Sequence, residues 1–236
     1  MKKHSKRYTH VAEKVDKEKV YKLSDAIDIL KEVDQKPKFD EAVDISFSLG
    51  VDTRHSDQMV RGTVTLPHGT GKLVRVAVFT KEPSNVEAAK SEGAEHVGDD
   101  DLIEKVKGGW TDFDVAIATP DLMKDLSKLG KILGPKGLMP SPKAGTVTQE
   151  IGKAVKEVKK GKIEYKIDKT SNLHVSIGKL SFEKDKLAEN GLTVIEAIYK
   201  AKPSGAKGVY MKRCVISSTM SPGLGIDLKE INIKGI

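Results

Sequence analysis

One cysteine in 236 residues removes two kinds of chemistry at once. Cys214 has no partner for an intrachain disulfide, and a lone thiol cannot build a thiolate metal site. A chain without disulfides fits a reducing compartment, most simply the cytoplasm. Aromatic residues are scarce as well, at 5% of the chain, which leaves few flat platforms for stacking. No apolar run approaches the roughly 18 residues that a membrane helix needs. The basic start, MKKHSKRYTH, lacks the apolar stretch of a secretion signal, and the acids from Glu13 onward do not suit a transit peptide. There is no Gly-x-Ser-x-Gly elbow for a serine nucleophile. The six histidines, at positions 4, 10, 55, 68, 96 and 174, show no ligand spacing.

Positive charge is what the chain has in excess, and it is unevenly placed. Residues 1–68 carry 13 Lys/Arg against 12 Asp/Glu, residues 69–159 carry 14 of each, and residues 160–236 carry 14 against 8. The whole net charge of +7 therefore belongs to the two flanks of a neutral block. Such a block reads as an inserted domain. Flanks that meet in space would form one basic surface, and basic surfaces usually meet phosphate.

Hydrophobic rhythm supports the same division. In the first flank, Ser24 reads as the N-cap of a helix that Lys36-Pro37-Lys38 ends. Val43, Ile45, Phe47 and Leu49 then alternate with Asp44, Ser46 and Ser48, as in a half-buried strand, and residues 61–66 form a second strand. The middle alternates strands at 73–79, around Val97 and at 113–118 with helices at 84–91, 100–107, 121–133 and 151–158. That order predicts parallel βαβ units in a three-layer, Rossmann-like arrangement. In the last flank, residues 163–167 and 173–177 read as a hairpin turning at Thr170-Ser171-Asn172, followed by a helix over 187–199 and a strand over 209–216. The expected architecture is thus α/β with two domains. One is discontinuous and α+β, from residues 1–68 plus 160–236, and residues 69–159 form the inserted domain.

Several local motifs carry chemistry on paper. Gly69-Thr70-Gly71-Lys72 resembles a phosphate-binding P-loop, but Leu66 and Leu73 break the pattern and it precedes a strand, so it reads as a linker turn. Asp99-Asp100-Asp101 precedes a helical run and supplies N-cap and first-turn charge rather than a cation site. The loop 133–146, rich in proline and glycine, exposes Lys136 and Lys143 and reads either as a rigid surface loop or as a phosphate contact. Lys36, Lys38 and Phe39 lie at a helix-to-strand junction, where Phe39 is either a core plug or an aromatic that packs on a sugar or base. Ser217-Ser218-Thr219-Met220-Ser221-Pro222-Gly223 is a run of hydroxyls and open backbone. It serves either to end a strand or to bond 2′-hydroxyls and phosphates. A nucleotide-binding Rossmann-type enzyme is the alternative reading of the middle block; no dinucleotide fingerprint follows Val78-Phe79.

A set of spaced strings gives these motifs a common meaning. They are Lys38-Phe39-Asp40-Glu41, Ser56-Asp57-Gln58, Val60-Arg61-Gly62-Thr63, Leu66-Pro67-His68-Gly69, Gly109-Trp110, Asp112-Phe113-Asp114 and Ala118-Thr119-Pro120-Asp121. The loop 133–146, Lys202-Pro203 and Gly205-Ala206-Lys207-Gly208 complete the set. Over essentially its full length the chain resembles the bacterial-type large-subunit ribosomal protein L-one family. The resemblance implies a non-enzymatic, cytoplasmic ribosomal protein whose discontinuous domain binds a stem and internal loop of large-subunit rRNA. It implies that the site lies at the mobile stalk, near the tRNA exit site. It further implies repression of translation through the protein's own mRNA leader, contact with deacylated tRNA and a monomer when free. No cofactor, small-molecule substrate or membrane enters. The RNA-binding residues it implies are Lys38, Phe39, Glu41, Lys166, Asp168, Arg213, Thr219, Met220 and Ser221. Two positions depart from the family pattern: Ala42 stands where threonine is common, and Ser221 where glycine is common. Two chain crossings between the domains imply hinge motion near 67–71 and 159–161.

Overall fold

Side-chain periodicity decides which segments become strands and which faces they bury. The computed structural model describes residues 6–13, 15–16, 19–32 and 37–228. In chain order the elements are α1 (Lys6–Glu13), β1 (Val20–Tyr21), α2 (Leu23–Lys31), β2 (Ala42–Leu49), β3 (Arg61–Thr65), β4 (Val76–Phe79), α3 (Pro83–Ser91), β5 (His96–Gly98) and α4 (Asp100–Lys107). They continue with β6 (Val115–Ala118), α5 (Met123–Ser127), α6 (Gly130–Leu133), α7 (Ile151–Lys159), β7 (Lys162–Lys166), β8 (Asn172–Lys179), α8 (Lys184–Lys200), β9 (Met211–Ser218) and β10 (Leu224–Ile226). The mixed α/β chain divides into two compact units, one from its two ends, up to Gly71 and from Ile163, and one from Lys72–Lys162.

In the first unit, strict alternation along β2 buries Val43, Ile45, Phe47 and Leu49 and leaves Asp44, Ser46 and Ser48 on the other face. β2 is an inner strand of a five-stranded sheet ordered β1-β10-β9-β2-β8 and pairs antiparallel with both β8 and β9. Its apolar face packs with Leu23, Ile27 and Leu30 of α2 and Leu187, Val194, Ile195 and Ile198 of α8 in one core. Gly191 lets α8 lie this close: a Cβ there would stand 3.2 Å from Leu23 Cδ2 and 3.3 Å from Ile45 Cδ1. Cys214 belongs to the same core, where burial pushes its thiol up to about 12 and leaves it inert. Buried Asn190 of α8 accepts from His68 N at 3.1 Å and donates to Gly69 O at 3.0 Å and Ile177 O at 2.8 Å. The first chain crossing is thereby pinned to this unit.

In the second unit β4 is buried on both sides, as strands of parallel sheets are. Its sheet is ordered β5-β4-β6 and parallel throughout. Val76 and Val78 pack with residues of α3 and α7, while Ala77 and Phe79 pack with residues of α4, α5 and α6. In the loop after α6 Ser141 N donates to Thr146 Oγ1 at 2.8 Å, and Lys136 Nζ reaches out of it to donate to Thr111 Oγ1, ahead of β6.

Several expected boundaries shift for identifiable reasons. Ser24 lies inside α2 rather than capping it; Lys22 holds the cap position, and the Ser24 hydroxyl bonds Asp25 Oδ1 instead. Leu73 is 94% exposed and lies outside β4, which starts only where both faces are covered. Residues 121–133 break into a short 3-10 turn, α5 and α6, with the poor helix former Gly130 opening the last piece. The 163–177 hairpin does not form. β7 joins β3 in a separate two-stranded sheet, and β8 joins β2. The loop between them re-aims the chain, with Ser171 in left-handed backbone conformation at φ 64°.

Candidate nucleic-acid interface

β2 has a candidate residue cluster at each end. At its N-terminal end, three chain segments meet. Residues 38–41 lead into β2, residues 218–221 leave the adjacent β9, and residues 179–181 leave β8 on the other side. Asp40 accepts from Ser181 Oγ at 2.7 Å and from Ser181 N at 3.2 Å, and Leu180 N donates to Glu41 O at 2.8 Å. On the opposite flank Thr219 and Ala42 form a reciprocal pair, with Thr219 N to Ala42 O at 3.0 Å and Ala42 N to Thr219 Oγ1 at 3.1 Å.

Glu41 is the centre of this arrangement, and its carboxylate is 2% exposed. It accepts from the Ser218 hydroxyl and, at 3.0 Å, from Met220 N. The acid therefore shapes the turn instead of facing a ligand. Ser221 does similar work, since its hydroxyl accepts from Ser218 N at 2.8 Å and donates to Pro222 O at 3.1 Å. What this scaffold presents outward is Phe39, 53% exposed, Met220, 50% exposed, and the exposed Lys38. Phe39 is no core plug. Lys36 lies outside the described residues.

Lys166, Asp168 and Arg213 lie at the other end of β2, where Ser48 pairs with both Asn172 and Arg213. Seven residue steps along a strand separate the two ends by about 23 Å. Lys166 and Arg213 are exposed. Asp168 accepts from Asn172 N at 2.7 Å and from Thr170 N at 2.8 Å, and the Thr170 hydroxyl also donates to it. These bonds, the Asn172 N–H foremost, hold its carboxyl below the usual range. Like Glu41, it positions a loop. Beside it a groove of about 800 Å³ is lined by Arg54, Lys169, Lys207 and Lys212, with Asp52 as its one acid. These four cations were not singled out from the sequence as site residues. The signal lay in their interleaving with glycines in Gly205-Ala206-Lys207-Gly208 and in the loop after β2.

Between the two ends runs the polar face of the sheet, where Ser46 Oγ and His174 Nδ1 are 2.9 Å apart and Ser48, Asn172, Ser176 and Ser217 stand in line. None of these is buried. Hydroxyls, an exposed aromatic and cations, with Glu41 turned inward and Asp44 as the acid on the sheet face, can make a surface for phosphate, ribose and unstacked bases. Among the described residues no cluster of His, Cys, Asp and Glu could hold a metal ion, and no helix is long and apolar enough to cross a membrane.

Comparison with known proteins gives the chain a family. Residues 30–222 match the model of the ribosomal protein L1p/L10e family. The chain is 51% identical over 234 residues to the large ribosomal subunit protein uL1 of Persephonella marina, covering 98% of this chain and 96% of that one. It is 53% identical over 229 residues to the large ribosomal subunit protein uL1 of Protochlamydia amoebophila, covering 97% and 96%. The matches span both units and every candidate residue, and the chain belongs to the ribosomal protein L1p/L10e family.

Proposed function

We propose that the unit built from both chain ends is the RNA-binding domain of a large-subunit ribosomal protein, and that Lys72–Lys162 is an inserted Rossmann-like domain. The protein is a structural constituent of the cytoplasmic ribosome and not an enzyme, so the nucleotide-binding alternative falls away. The observation that carries the reading is the pair Phe39 and Met220. Two large apolar side chains stand in solvent on a turn that a buried carboxylate holds in place. Exposed apolar side chains flanked by cations fit an RNA surface whose bases are splayed from the stack.

In this reading the stalk rRNA, a stem with an internal loop, docks on Lys38, Phe39, Thr219 and Met220 and runs along the polar sheet face toward Arg213 and Lys166. An mRNA leader of the same shape would compete for that surface, which makes the free monomer a repressor of its own translation. The cationic groove at Arg54, Lys169, Lys207 and Lys212 suits the phosphates of deacylated tRNA at the exit site. Titration of a stalk rRNA fragment tests the main contact. Met220→Asp and Thr219→Ala should each weaken binding while leaving the fold intact, by about 1 kcal/mol for the hydrogen bond lost at Thr219. Unchanged dissociation constants in both variants would make the turn merely structural.

A further inference from the structure

We propose that the outward face of β1, β10 and β9 carries a second RNA subsite, a groove that takes one unpaired nucleotide of the bound RNA. The proposal rests on the RNA-binding reading above and extends it to a further place, which shares Lys212 and Arg213 with that reading. The groove encloses about 770 Å³ beside α1. Its floor is formed by a missing side chain. Gly225 occupies the outward position of β10, paired with Val215 of β9 on one side and Val20 of β1 on the other.

The fold does not require glycine at that position. Gly225 lacks the positive φ that favours glycine, and a Cβ there would meet Val20 Cγ1 at 3.6 Å and Lys19 O at 3.7 Å, which is ordinary contact. A glycine inside a strand that neither conformation nor packing explains marks a place where something else approaches the backbone. Around this bare peptide stand Val20, 58% exposed, Val215 and, at the rim, Tyr8. Lys19, Lys212 and Arg213 also line the groove, against the single acid Asp227. An apolar floor with an aromatic edge and a cationic rim has the two halves of a nucleotide: a flat base below, a phosphate above. An uncharged apolar partner would use the floor and leave the cations unanswered.

Position supports the same occupant. Val215 and Arg213 face outward on β9, and Thr219 lies four residues beyond Val215, about 13 Å at the rise of a strand. A strand of RNA held at Met220 can therefore follow β9 to the groove.

The test uses the full-length protein and a stem-and-internal-loop fragment of the large-subunit rRNA stalk. A photoactivatable benzoylphenylalanine replaces Val20 in one preparation and Met220 in another. Gly225→Val, which fills the floor, is titrated in parallel, with Gly225→Ala as the milder change should the larger one disturb folding. The expected result is a crosslink from position 20 to one unpaired nucleotide and an affinity lowered about tenfold by Gly225→Val, in the range of one lost stacking contact. A crosslink from position 220 alone, with unchanged affinity in the glycine variants, would overturn the subsite and leave the RNA-binding reading standing. If neither position crosslinks, both readings fall.

Discussion

Glu41 shows how an acid can belong to a surface proposed to meet a polyanion. Its carboxylate is buried and accepts from the Ser218 hydroxyl and Met220 N, so its charge is spent on the two segments that form the turn. Glu41→Ala leaves both donors without that partner in a water-poor place. Such losses cost about 1–3 kcal/mol per group, against about 0.5 kcal/mol or less for an ordinary exposed change. We expect Glu41→Ala to lower the urea midpoint and weaken RNA binding together, and Glu41→Gln to restore most of both. Full RNA affinity in the alanine variant would remove Glu41 from the binding machinery. The sequence made Glu41, Phe39 and Met220 legible as a set, but not their division of labour. Alternation predicts which strand residues face outward; it cannot tell that a residue one step before a strand, as Glu41 is, folds inward while Phe39 does not. The Ser221 hydroxyl, standing where glycine is common, is likewise spent on Ser218 N and Pro222 O, which a sequence reading cannot reveal.

At the scale of elements, local pattern succeeded where one partner sets the environment and failed where a choice between partners decides. The four-residue apolar run of β4 specified a doubly covered parallel strand, and α3 and α7 lie where its rhythm required. β7 and β8 are adjacent in sequence and both alternate, yet β7 pairs with β3 and β8 with β2. Short-range spacing favours a hairpin, whereas the Asp168-capped loop and the long apolar face of β2 favour the observed pairing. The edge of β4 carries a testable ion network. Asp114 accepts from Lys72 Nζ at 2.7 Å and from Arg75 N at 3.2 Å and Nε at 3.1 Å. Led by the Lys72 bond, these hold its carboxyl down at about 2, against an ordinary 3.8. A carboxyl lowered on folding stabilises the native state above its unfolded value, and that contribution fades as pH falls through about 4 toward 2. Asp114→Asn should therefore cost about 1 kcal/mol at neutral pH, given solvent screening, and little at pH 2. Melting curves across that range, read by the single tryptophan at position 110, would show the two proteins converging in acid. A constant difference across the range would mean that Asp114 acts through packing and not through its charge.

Across the whole molecule, the neutral block and the second unit nearly coincide, and the structure explains the neutrality. Several of its cations answer its own acids: Lys72 and Arg75 with Asp114, Lys159 with Glu95, Lys156 with Glu92 and Lys128 with Asp125. Cations paired in this way release few counterions on meeting RNA, whereas Lys38, Lys166 and Arg213 of the first unit are exposed. The two chain crossings leave the first unit next to β3 and β7, strands of one sheet, and Asn190 pins the first crossing at His68 and Gly69. Replacing residues 72–162 by a short glycine linker should therefore leave the first unit folded on its own core. We expect the shortened protein to bind the stalk RNA within about threefold of the full chain. The slope of log affinity against log salt should also be unchanged, because the same phosphates are neutralised. A shallower slope with weaker binding would place phosphate contacts in the second unit, most directly at the exposed Lys143 of its proline-rich loop, and would overturn the assignment of the RNA surface to the two chain ends alone.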